Sequence, residues 1–158
     1  MRIYFTLLSL IFSLALSAQT IVVVKDDDLG TDTVNWTKDN EYHLDGYVIL
    51  ENGGVLNIEA GTVIKGLASP TTGDISSALI IARGAKIYAR GTADEPIIFT
   101  AEFDNVADPS DLTKNDRGLW GGVLLLGSGV VKNSGGFSIT TASLAQIELT
   151  APLLGSPL

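Results

Sequence analysis

The sequence predicts an all-β chain, a right-handed parallel β-helix of few coils behind a cleavable signal peptide. Three observations carry this. Apolar runs of about four residues, rich in β-branched side chains, recur between Ile21 and Leu126. Glycine punctuates them: all 17 lie beyond residue 18, at corners such as Asn52-Gly53-Gly54, Arg83-Gly84 and Gly121-Gly122. One run-and-corner unit then repeats, whereas no long window keeps the i, i+3, i+4, i+7 stripe of an amphipathic helix.

The chain opens with Arg2, an apolar stretch from Ile3 to Leu16, and the small residues Ala15, Ser17 and Ala18. Fourteen positions fall short of the roughly 20 that a membrane-spanning helix needs, so residues 1–18 read as a secretory signal peptide. Its removal implies secretion or display on the outer cell surface, with no membrane span in the mature chain. With no cysteine, a lipid anchor at the cleavage site, disulfides, thiolate metal sites and a cysteine nucleophile are all excluded. Loss of Arg2 moves the formal charge from −8 to one unit more acidic. Such a body repels phosphate backbones, and no nucleic-acid partner is expected.

Residues 19–46 read as an N-terminal strand and cap region, with one clear strand at Ile21–Val24. Residues 47–132 read as the coils. Their strands are expected at Tyr47–Leu50, Val55–Ile58, Leu79–Ile81, Lys86–Ala89, Ile97–Thr100 and Val123–Leu126. Setting Ile49–Thr62 above Leu79–Thr92 with an offset of 30 aligns Gly54 with Gly84, and Gly61-Thr62 with Gly91-Thr92. The alternation of Leu56, Ile58 and Ala60 against Ile87 and Ala89 instead requires a strand offset nearer 31, with Tyr88 outward. A degenerate third copy begins at Trp120. An antiparallel sandwich uses similar strands, but it favours two-residue hairpin turns over single-glycine corners. Residues 133–158 are atypical: glycine corners thin out and the chain stops without a polar cap, as a truncated solenoid would. An uncapped terminal coil also suits self-association.

Four runs, Trp36–Val48, Leu56–Gly66, Ser77–Ala101 and Asp116–Gly127, resemble the opening coils of secreted right-handed parallel β-helix proteins of Bacteroidetes. The resemblance implies export and a longer parent protein, because many members carry a C-terminal sorting domain for type IX secretion. No such domain is recognisable here, which makes this sequence an expected N-terminal fragment.

The catalytic inventory is thin. His43, the only histidine, reads as a surface or packing residue, and no nucleophile elbow, zinc-binding helix or phosphate loop occurs. Asp104, Asp108, Asp111 and Asp116 with Lys114 and Arg117 occupy one polar segment, where a solenoid can carry function, but their spacing reads as a solvated acidic loop. No catalytic residue and no cofactor are therefore assigned. Asp26, Asp28 and Asp32 are calcium candidates, although Gly30 and Thr37 fall where an EF-hand loop needs other residues. Among Trp36, Tyr47, Tyr88 and Trp120, we single out Tyr88 and Trp120 as candidates for stacking on sugar rings. The expected function is non-enzymatic: structural, adhesive or glycan-binding, with glycans or cell-surface proteins as partners. The alternative is the N-terminal part of a polysaccharide lyase or hydrolase whose catalytic coils lie elsewhere.

Overall fold

The computed structural model describes residues 19–127, 130–132 and 138–140. The expected signal peptide and most of the atypical C-terminal segment lie outside the described residues. The strands are β1 (Thr20–Val24), β2 (Thr33–Trp36), β3 (Asn40–Leu44), β4 (Tyr47–Leu50), β5 (Val55–Ile58), β6 (Val63–Gly66), β7 (Ala78–Ile81), β8 (Lys86–Ala89), β9 (Ile98–Ala101), β10 (Gly122–Leu125), β11 (Val130–Lys132) and β12 (Ser138–Thr140), with one 3-10 turn at Asp26–Asp28.

Consecutive strands do not pair in β1 to β10; every partner comes from the next turn of the chain. Sheet A runs β1-β3-β6-β9, sheet B runs β4-β7-β10 and sheet C runs β2-β5-β8, and every ladder in them is parallel. A parallel bridge from Gly30 to Leu50 marks the first coil's place on sheet B. The chain thus visits A, B and C in turn and then climbs one rung, which is a parallel β-helix with three faces. The segment 19–46 already supplies rungs β1, β2 and β3.

Alternation sets the core. Residues pointing inward stack rung upon rung: Val34, Leu56 and Ile87 on sheet C, and Val48, Leu79 and Val123 on sheet B. Leu44, Val48, Leu50, Leu56, Ile64, Leu79 and Ile81 are completely buried. Leu56 lies opposite Ile87, as the offset of 31 requires, and Tyr88 points outward. Ala60, expected inward, is only half-buried in the turn after β5.

The glycine alignment needs correction. Gly53 and Gly84 are the equivalent corners, with φ of 97° and 83°, and Gly53 N–H donates to the Gly84 carbonyl at 3.3 Å. Gly54 therefore matches the buried Ala85, and this corner obeys the same offset as the strands. At Gly84 positive φ combines with a close approach, since a Cβ there would overlap the Asn52 side chain.

Coil lengths differ at one corner. The B-to-C links, 51–54 and 82–85, keep four residues, whereas the A-to-B links grow from 45–46 to 67–77 to 102–121. The long loops therefore emerge side by side from one edge of the prism. Beyond β10, β11 and β12 pair antiparallel with each other. Among the described residues no helix is long and apolar enough to cross a membrane.

Candidate functional site

Outward positions on sheet C form a short polar strip. Asn35, Asn57 and Tyr88 occupy one register row across β2, β5 and β8, and Thr33, Val55 and Lys86 occupy the row beside it. Asn57 Nδ2 donates to Asn35 Oδ1 at 2.9 Å, which fixes both amides in the row. Tyr88 ends the row with 40% of its surface exposed. A flat ring beside oriented amides offers an apolar face together with donors and acceptors.

Trp120 sits elsewhere, where the 102–121 loop re-enters β10. Its indole lies so tightly on Gly66 that a Cβ at that position would come within 2.5 Å of the ring. The ring is half-buried against the core, so one face is already occupied. The structure does not bring Tyr88 and Trp120 together. Trp36 is buried and stacks on Tyr42 with ring centroids 4.7 Å apart, and Tyr47 lies outward on sheet B.

The acidic side chains serve local turns. Asp26 Oδ1 accepts the Ile49 N–H at 2.9 Å and Asp28 Oδ2 accepts the Lys25 N–H at 2.7 Å, so two of the three calcium candidates are engaged with backbone. Asp32 accepts the Val55 N–H through its backbone carbonyl. Among the described residues no three His, Asp or Glu side chains gather closely enough to hold a metal ion. In the 102–121 loop, Asp108 accepts from the Ser110 hydroxyl and N–H, and Asp116 from the Thr113 hydroxyl and N–H. Those bonds hold both carboxyls below the usual range. Asp104 accepts from Thr100 Oγ1, Asp111 from the Asn105 N–H, and Arg117 Nε donates to the Lys114 carbonyl.

Sequence reasoning missed two polar groups because both depend on register. On the outer face of sheet A, His43 Nε2 lies 2.6 Å from Glu41 Oε1, and Lys65 Nζ lies 3.2 Å from the same oxygen. Glu41 and His43 share a face through their i, i+2 spacing, and Lys65 arrives opposite His43 one rung later. Burial pushes the Glu41 carboxyl up, but the bonds from His43 and Lys65 and their charges outweigh it, and the group stays ionised below its ordinary range.

The second group pins the 67–77 loop. Asp45 is 2% exposed; its carboxylate accepts the Thr71 N–H at 2.6 Å and the Thr71 hydroxyl at 2.5 Å, with Lys25 Nζ at 3.3 Å. Burial again raises this carboxyl, and the Thr71 and Lys25 bonds together bring it below its usual value. Ser77 Oγ accepts the Gly46 N–H at 3.1 Å, and Asp74 accepts the Tyr47 N–H at 3.0 Å. Asp45, Asp74 and Ser77 thus tie the loop to the turn at residues 45–47.

No curated protein and no solved structure matches the chain. A family model for a pectate-lyase-like beta helix domain matches residues 29–150, in keeping with the parallel ladders and three-faced coils, and the chain belongs to that family.

Proposed function

We propose that this chain is an exported, non-enzymatic solenoid with a structural or adhesive role, which binds glycans through the outer face of sheet C. The row Asn35, Asn57 and Tyr88 carries the reading: the tyrosine supplies the apolar face on which a sugar ring stacks, and the linked amides meet its hydroxyls. The signal peptide at residues 1–18 supports delivery to the medium or the outer surface, and the excess of 18 acidic over 10 basic residues disfavours nucleic acid. Calcium is at most an accessory at the Asp26–Asp28 turn.

The test is retardation of the mature chain in gels carrying neutral or acidic polysaccharides. Tyr88→Ala is expected to weaken binding about fivefold to tenfold, since the lost stacking is of the order of 1 kcal/mol. Its folding stability should stay within about 0.5 kcal/mol of the parent, because the ring is largely outside the core. Unchanged retardation of the variant contradicts the assignment.

A second reading, the N-terminal coils of a polysaccharide lyase or hydrolase, draws on the family's description and on the Glu41, His43 and Lys65 group. The same preparations incubated with polyuronic acids separate the two: the non-enzymatic reading expects retardation without the absorbance of an unsaturated product, and lyase action produces that absorbance.

A further inference from the structure

Among the described residues the solenoid ends on unpaired strand edges. Sheet C stops at β8 and sheet A at β9, while β11 and β12 form a two-stranded sheet of their own. Phe99, Thr100 and Ala101 of β9 line a cleft of about 280 Å³ together with Leu112, Asp116 and Trp120 of the 102–121 loop. Successive side chains of a strand point to opposite faces, so a cleft that touches three in a row follows the strand's edge.

Chain spacing identifies what fits there. Five positions lead from the end of a sheet B strand to the start of the next sheet C strand, from Leu50 to Val55 and from Ile81 to Lys86, and five lead from Leu125 to Val130. From sheet C to the first paired residue of sheet A, eight positions separate Thr33 from Glu41 and Val55 from Val63, and twelve separate Lys86 from Ile98; the eight from Val130 to Ser138 repeat the spacing of the first two coils. The chain also leaves β10 as it left β7. Leu126 N–H donates to the Ile81 carbonyl at 2.9 Å, just as Ala82 N–H donates to the Leu50 carbonyl at 2.9 Å.

We infer that β11 and β12 have a second arrangement, as the next rungs of the solenoid: β11 parallel on β8 with Val130 opposite Lys86, and β12 parallel on β9 with Ser138 opposite Ile98. An isolated two-stranded ribbon is marginal in water, whereas each strand gains a full ladder partner at the strand edges of β8 and β9. The occupant of this end is the chain itself, and both strands fall inside the family match. The register places Lys132 beside Tyr88, so the sheet C row gains a fourth rung. The inference depends on the ladders alone and stands whether or not that face binds glycans.

The cysteine-free sequence allows a direct test in the mature full chain. One double variant, Ile98→Cys with Ser138→Cys, joins the proposed neighbours; another, Val131→Cys with Ile139→Cys, joins residues paired in the antiparallel ribbon. A short bifunctional thiol reagent is applied, and intramolecular links are read by mass. Thiol bridging demands close Cα atoms, and the first pair is expected to link within one molecule about tenfold faster than the second. The reverse order overturns the inference, as does a first pair that links only between molecules, which would assign the edge to a second copy. Circular dichroism of the two double variants before the reagent is added confirms that both retain the parent fold.

Discussion

Leu79→Ala lowers the stability of the folded chain by about 2–5 kcal/mol, measured as a shift in denaturant midpoint. Leu79 has no exposed surface and lies in the middle rung of sheet B, between Val48 below and Val123 above. Truncation removes contacts with both neighbouring coils at once. The surrounding backbone is tied into parallel ladders on either side, so the cavity collapses poorly and the loss belongs in the upper half of the range. Stability of a solenoid is largely the sum of such coil-to-coil interfaces, and weakening the central one loosens the two halves from each other. Ile75→Ala is the matched control. That side chain is 90% exposed in the 67–77 loop, and its loss is expected to change stability by no more than about 0.5 kcal/mol.

Asp45→Ala is the second large effect, with an expected loss of about 2–3 kcal/mol at neutral pH. The variant strips the Thr71 N–H and hydroxyl of their acceptor and leaves Lys25 without its buried counter-charge. Most of the loss should appear as release of the 67–77 loop, read as faster amide exchange at Thr71 and at Gly46 and Tyr47, whose N–H groups bond to Ser77 and Asp74 in that loop. The pH dependence has a definite sign. The folded carboxyl of Asp45 is depressed, so its contribution is complete above the unfolded carboxylate value of about 3.9 and disappears as pH falls through the lower folded value. The gap between parent and variant should therefore hold from neutrality down to about pH 5 and close in stronger acid. Glu41, also depressed, adds to the parent's acid sensitivity in the same direction.

The repeat made sheet B and the β5 and β8 rungs of sheet C legible in the sequence, while β2 was missed. Ile49–Thr62 and Leu79–Thr92 share both apolar alternation and glycine corners, and the slip between their two offsets pointed to the observed register of 31. Sheet A was harder to see. Its strands β3 and β6 carry Glu41, His43 and Lys65 outward, and the polar residues break the apolar runs by which the other strands were recognised. Its ladders also share no constant offset, with steps of 20 from Thr20 to Asn40, 22 from Glu41 to Val63 and 35 from Val63 to Ile98, because the links between strands differ in length from coil to coil. For the same reason His43 read as isolated: Glu41 is a neighbour in sequence, but Lys65 reaches it only through the ladder. Tyr88 was legible because alternation alone fixed its direction. Trp120 was not, since its packing on Gly66 depends on how a 20-residue loop returns.

Scalar couplings across backbone hydrogen bonds, recorded by NMR on the deuterated chain from residue 19 onward, test the central claim most directly. The parallel β-helix predicts couplings from Lys86 N–H to the Gly54 carbonyl and from Ala82 N–H to the Leu50 carbonyl, bonds of 2.9 Å that each join one coil to the next. Couplings that instead join β4 to β5 across Asn52-Gly53, as in an antiparallel hairpin of a sandwich, would contradict it.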